Sequence, residues 1–352
     1  MPPRLSIKLD KQDGAFHPGE TIFGHVELVF PDPKRLDELT LSLGWDVETP
    51  GEPHSVRRAP IVLAKQVQLL ANEPRVFRFE LPAPAGPLTY HGHILSVHWT
   101  LRAEAKLGWA LRERAEARIS LVAWTEEERA LSVRSYRVGP ARQALAYDPG
   151  PLPRAPLARS DESRGIEHPI VGVALAGATV ALVLLHANPY TRVLALLLLV
   201  GGLSALFAHL PRRTLRQRLG PPQLDVHPEI VRVGDILTVS VAFRPTRAEA
   251  LSELTFSVHA TEVAARPSSE PDEPRIYRHS LHVERRAVDR GRLRLEAARV
   301  TVIQEMFRLP ETAAPSFGAP HNEVRWEVTA TARTADLLTW KESRRILVFP
   351  PG

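Results

Sequence analysis

The stretch Leu39-Thr40-Leu41-Ser42-Leu43-Gly44-Trp45-Asp46-Val47 alternates without a break. In an extended chain successive side chains point to opposite faces, so Leu39, Leu41, Leu43, Trp45 and Val47 share one side and Thr40, Ser42, Gly44 and Asp46 the other. That is a strand with one apolar face and one solvated face. The same period recurs in Phe77, Phe79 and Leu81, then in Leu95, Val97, Trp99 and Leu101, and in a closing run of Ile119, Leu121 and Ala123. It returns late in the chain, in Leu237, Val239, Val241 and Phe243, in Leu254, Phe256 and Val258, in Val324, Trp326 and Val328, and in Ile346 and Val348. Short alternating runs broken by Pro and Gly mark antiparallel sandwiches. The expected fold class is all-β, with two antiparallel β-sandwich domains at residues 1–137 and 224–352.

Between them the character changes. Pro140, Pro149, Pro151, Pro153 and Pro156 punctuate residues 138–168, which read as a Pro-rich linker. From Pro169 to Leu210 the only charged residue is Arg192. One helix over that length would reach about 60 Å, twice the bilayer core, whereas two helices broken at Asn188-Pro189 fit it. The expectation is a two-helix transmembrane hairpin over 169–185 and 193–210, the alternative being a pair of buried core helices. Arg154, Arg159 and Arg164 precede the hairpin and Arg212, Arg213, Arg216 and Arg218 follow it, against Arg192 alone in its turn. The positive-inside rule then sets both β-domains in the cytoplasm. No apolar h-region follows the N-terminus, which agrees. Arg212, Arg213, Arg216 and Arg218, in a basic juxtamembrane linker at 211–223, are candidates for contact with anionic lipid headgroups, beside their plainer use as a topology signal. Heavy use of Ala, Arg, Leu and Pro points to a bacterial source, so the expected location is the inner (plasma) membrane.

The two β parts resemble each other. His17-Pro18-Gly19-Glu20-Thr21-Ile22 corresponds to Val231-Arg232-Val233-Gly234-Asp235-Ile236, each before an alternating strand. Phe77-Arg78-Phe79-Glu80-Leu81-Pro82 corresponds to Glu305-Met306-Phe307-Arg308-Leu309-Pro310, and Val97-His98-Trp99-Thr100-Leu101 to Val324-Arg325-Trp326-Glu327-Val328. Self-similarity in the same order means two copies of one domain. These elements together resemble the arrestin-like family: Pro18-Gly19-Glu20 leads to Gly24-His25-Val26, an F-x-F-x-L-P strand follows, and then Thr89-Tyr90-His91-Gly92 with Val97 to Leu101. In the second copy Ser316-Phe317-Gly318 stands in place of the Thr-Tyr-x-Gly, and the Pro-Gly-Glu is lost. The resemblance implies two tandem, seven- to eight-stranded immunoglobulin-like sandwiches that act as scaffolds, adaptors or trafficking and regulatory factors, without catalysis. An inserted hairpin departs from that pattern and puts rigid packing between the domains in doubt.

The remaining residues offer little chemistry. The chain has 352 residues, 44% of them hydrophobic, a formal net charge of +5 and no cysteine, which excludes disulfides and thiolate chemistry. The charge is too modest and too scattered for a nucleic-acid binder. No P-loop, dinucleotide turn, nucleophile elbow or H-E-x-x-H occurs. His91-Gly92-His93 with His98 is the best metal candidate, but no acid or thiolate completes a set nearby, so turn histidines are the preferred reading and no metal or cofactor is expected. His279 and His282 are a weaker pair. Glu126, Glu127 and Glu128 read as a solvated face. Arg285, Arg286, Arg290, Arg292 and Arg294 read as strand charges guarding an edge, with a phosphate- or lipid-facing stripe as the alternative. The expected function is a non-enzymatic, membrane-anchored, arrestin-like adaptor or scaffold that recruits an unidentified protein partner at the cytoplasmic face, with strand addition as one mode of docking. The alternative is a structural or assembly subunit of a bacterial membrane complex, its hairpin packed through Gly172, Gly177, Gly201 and Gly202.

Overall fold

The apolar side of the Leu39–Val47 stretch is buried along its whole length, and the strand it belongs to runs on at both ends. The computed structural model describes residues 4–108, 111–125, 148–150, 218–267, 274–288, 293–335 and 338–351. The first half holds β1 (Arg4–Leu9), β2 (Ala15–Phe16), β3 (Thr21–Val29), β4 (Lys34–Glu48), β5 (His54–Arg57), β6 (Ile61–Leu69), β7 (Arg75–Pro82), β8 (Tyr90–His91), β9 (Ser96–Leu107) and β10 (Leu111–Leu121). The second holds β11 (Gln223–His227), β12 (Ile230–Arg232), β13 (Ile236–Phe243), β14 (Glu249–Arg266), β15 (Arg275–Ala287), β16 (Leu293–Leu295), β17 (Thr301–Arg308), β18 (Phe317–Ala319), β19 (Asn322–Thr334) and β20 (Thr339–Phe349).

The two halves share one topology. A three-stranded sheet, β1-β3-β7 or β11-β13-β17, faces a seven-stranded one built on β2-β10-β9-β4-β5 or β12-β20-β19-β14-β15. In both, the sixth strand pairs the fourth and the eighth pairs the ninth. Apolar side chains of the two sheets interdigitate into one core per unit, as in a sandwich. The fold is thus all-β with two similar sheet-rich units.

Small details of the duplication repeat as well. His17–Glu20 and Arg232–Asp235 each form a turn closed by a backbone bond, with Gly19 and Gly234 at φ +81° and +84° in its third position. That left-handed position is open to Gly at no steric cost. The acid that follows accepts from the N–H three residues back, Glu20 from His17 and Asp235 from Arg232. Trp99 donates from Nε1 to the Pro87 carbonyl at 2.8 Å, and Trp326 to that of Ala314 at 2.9 Å. Thr89 and Ser316 play one role too: each hydroxyl accepts the N–H of Leu121 or Val348 near the end of the last strand. Tyr90 pairs with Val97 and Phe317 with Val324, so Ser316-Phe317-Gly318 does occupy the place of the Thr-Tyr-x-Gly.

One expectation is corrected. The sequence points to an integral membrane protein with both β-domains on the cytoplasmic side, yet among the described residues no helix is long and apolar enough to cross a membrane. The stretches 169–185 and 193–210 lie outside the described residues, as do most of 138–168 and 211–217. The doubt over domain packing is also removed. The sandwiches touch through their own side chains, and Ala264, Phe317, Ala319 and Val324 of the second complete the core of the first. Their union needs no shared bilayer.

Candidate functional site at the interdomain seam

The seam is built from strand ends that the duplication supplies twice. In the first copy Tyr90 and Val47 both pair with Val97; in the second Phe317 and Glu262 both pair with Val324. Glu262 therefore stands where Val47 stands, and Phe317 where Tyr90 stands. Across the seam β8 of the first copy reaches β14 of the second, while β18 of the second reaches β4 of the first. The copies meet about a pseudo-two-fold axis, the arrangement of an isologous dimer interface.

The chemistry of the two halves differs. On one side Glu262, with no exposed surface, accepts from the Tyr90 phenol at 2.5 Å, from the His93 N–H at 3.0 Å and from the Ile94 N–H at 2.9 Å. None of these donors is a cation. A buried carboxylate is costly unless its lone pairs are used, and three donors use them. Burial, together with the bond to Glu262 and its charge, pushes the Tyr90 hydroxyl well above the usual phenol value, so it remains a donor. Gly92 lies directly under the carboxylate: a Cβ there would sit 1.5 Å from Glu262 Oε1 and 2.6 Å from Tyr90 Oη. The Thr-Tyr-x-Gly segment is thus a cradle for an acid carried more than a hundred residues away. On the other side the contact is apolar, Phe317 standing edge-on to Trp45 with centroids 5.9 Å apart.

Further ties flank this pair. The Glu52 N–H donates to the Ala265 carbonyl at 3.0 Å, and Asn322 Nδ2 to the Glu52 carbonyl at 2.7 Å. His321 Nε2 lies 3.3 Å from the Glu52 carboxylate. The rings of His93 and His279 stack at 3.7 Å. Residues 148–150 join both units, since the Asp148 N–H donates to Ala85 and the Gly318 N–H to Pro149.

Of the expected site residues, Arg212, Arg213 and Arg216 lie outside the described residues. Arg218 turns inward: Nε and Nη2 donate to both oxygens of the buried Glu249 at 2.6 and 2.8 Å. The histidine trio does not converge. His91 and His98 rings lie 5.0 Å apart, but His93 belongs to the His279 stack. Among the described residues no group of three or more His, Asp or Glu could hold a metal ion. Glu126, Glu127, Glu128, Arg290 and Arg292 are outside the described residues. Arg285 and Arg286 lie on β15, where their partners are Glu253 and Glu284. Sequence reasoning missed Glu262 and Glu249, although each is an acid at an inward position of an apolar strand. A second missed group is a hydroxyl ladder on β14, β19 and β20: His259 Nε2 lies 2.7 Å from Ser257 Oγ, and Thr329 bonds Ser343 at 2.8 Å.

The Arg218–Glu249 pair carries a pH prediction. Burial by itself raises the Glu249 carboxyl, but hydrogen bonds from Arg218 and Arg247 outweigh it and hold the group below the ordinary carboxylate value. A depressed folded value contributes stability above the unfolded value and loses it as pH falls through the folded one. Glu249→Gln is therefore expected to lower the urea midpoint at pH 7, by the equivalent of about 2 kcal/mol. The gap to wild type should narrow below about pH 4, near and beneath the free carboxylate value. A constant gap from pH 7 to pH 3 would contradict it.

No protein-family model matches the chain, and neither does any curated protein. Among solved structures it is similar to the sporulation control protein Spo0M from Bacillus subtilis, with 14% sequence identity and a TM-score of 0.28. The match covers 37% of this chain and 50% of that one, so the chain spans half the length of the protein it matches.

Proposed function

We propose that the chain is a non-catalytic, arrestin-like adaptor that recruits partner proteins on a rigid two-sandwich body. The observation that carries this reading is the seam. A buried acid cradled by Tyr90, His93 and Ile94 fixes the two units in one geometry. Burying a carboxylate there, where its counterpart in the first copy is a valine, has no evident use in stability alone, because apolar replacements of buried ions are often neutral or better. It does make the join geometrically specific, and a fixed relative placement of two surfaces is what a scaffold needs.

The test is capture from native cells by cross-linking, with the full chain and with Gly92→Val, which drives a side chain into the seam. The expected result is a protein that co-purifies with wild type and is lost from the variant, while strand content by circular dichroism is retained. Capture that is indifferent to the seam, or a purified chain that turns over a metabolite at an unaltered rate in the variant, would overturn the reading.

A further inference from the structure

The duplication has left the two copies with different edges. In the first copy the flank of β4 is covered by two short strands, β5 of four residues and β6 of nine, separated around Pro60, with a register shift at Leu39/Thr40. Short, broken, Pro-marked edges are how sandwiches avoid pairing with other chains. In the second copy the same flank of β14 carries the three-residue β16 and then β15, thirteen residues long and uninterrupted by Pro. It ends the sheet, and its backbone pairs only with β14 among the described residues.

The side chains on that edge have a definite pattern. Ile276, Arg278 and Ser280 share the outward face, while Tyr277 and Leu281 pack inward. The register shift at Ala260/Thr261 leaves Leu281 as one extra residue in β15. A single-residue bulge reverses the alternation, which returns Val283 and Arg285 to the same outward face as Arg278. Ile276 and Val283 are 38% and 59% exposed. Arg285 reaches Glu253 at 3.0 Å, but both are exposed, so that pair is weak and exchangeable. The edge thus offers the same couplet twice, an aliphatic residue with an arginine two positions on.

We infer that β15 is a docking edge for an extended acidic segment of a protein partner, which adds as a further strand. The inference rests on the adaptor reading and names its partner class. The added strand satisfies the outward N–H and C=O groups of β15. On its facing side it carries an acid opposite Arg278 or Arg285 and an aliphatic residue two positions away, opposite Ile276 or Val283, since cross-strand pairs of opposite charge and of apolar groups stabilise a sheet.

The probe is a fluorescent eight-residue peptide repeating Glu-Thr-Val-Thr, titrated into the full chain, with hydrogen exchange as the map. The expected result is binding that weakens with salt and slows exchange at residues 275–287. Arg278→Glu combined with Arg285→Glu loses at least about tenfold in affinity and gains preference for the Lys-Thr-Val-Thr peptide, a swap that misfolding cannot produce. The inference is overturned if the wild-type chain binds neither peptide, if protection falls on another strand, or if a peptide N-methylated at alternate residues binds equally well, which would mean charge without strand pairing. Each of these leaves the capture experiment standing, so failure here is separable from failure of the adaptor reading.

Discussion

Gly92→Val, just past the end of β8, is expected to destabilise the folded chain by about 4 kcal/mol. The valine Cβ arrives 1.5 Å from Glu262 Oε1, so the carboxylate must leave its cradle. The cost combines overpacking with the desolvation of an acid stripped of three donors. The effect is diagnostic because its cause can be removed. Glu262→Ala alone is expected to cost about 3 kcal/mol, since the Tyr90 hydroxyl and two main-chain N–H groups then lose their acceptor. In that background the valine meets no carboxylate, and the pair should cost at least about 2 kcal/mol less than the two singles added. Urea unfolding of the four proteins measures the cycle. Strict additivity would show that Gly92 and Glu262 act independently and that the cradle is not the source of either effect.

Trp326→Ala and Trp99→Ala are each expected to cost about 4 kcal/mol, in the range for emptying a large aromatic from a sealed core. Both rings are 1% exposed, and both lose a bond to a carbonyl on a neighbouring loop, Ala314 or Pro87. What separates this from an ordinary core deletion is where the loss registers. Seam side chains belong to the core of the first unit, so the two sandwiches should melt together. Either Trp variant then lowers one shared transition in a calorimetric scan. Combined with Gly92→Val, the same Trp326→Ala should split it into two, with the first unit melting above the second. Two transitions in the wild-type chain would mean that the units are coupled only loosely.

The residues bear out the sequence reading most where chemistry is local. Leu237, Val239, Val241 and Phe243 alternate in the sequence and are all buried on β13, because backbone geometry fixes the period of a strand whatever lies around it. The two Gly-acid segments were legible as repeats for the same reason, since the turn each forms closes within four residues. Arg218 shows the limit. As a member of an arginine cluster it reads as a surface charge, and only the return of the chain at Glu249 turns it inward. The histidines near β8 fail likewise. His91 and His93 are two apart, yet one faces His98 and the other His279, because the chain leaves its strand after His91.

From its letters alone this chain declares itself a duplicated all-strand protein, since alternation and repetition are properties of near neighbours and of order along the polymer. Which surfaces the duplicates turn toward each other is settled only in three dimensions. Tyr90 and Glu262 lie 172 positions apart, and no periodicity links them. Their meeting follows from the pseudo-two-fold approach of two folded units, and from the absence of a side chain at Gly92 that lets a buried acid rest on bare backbone.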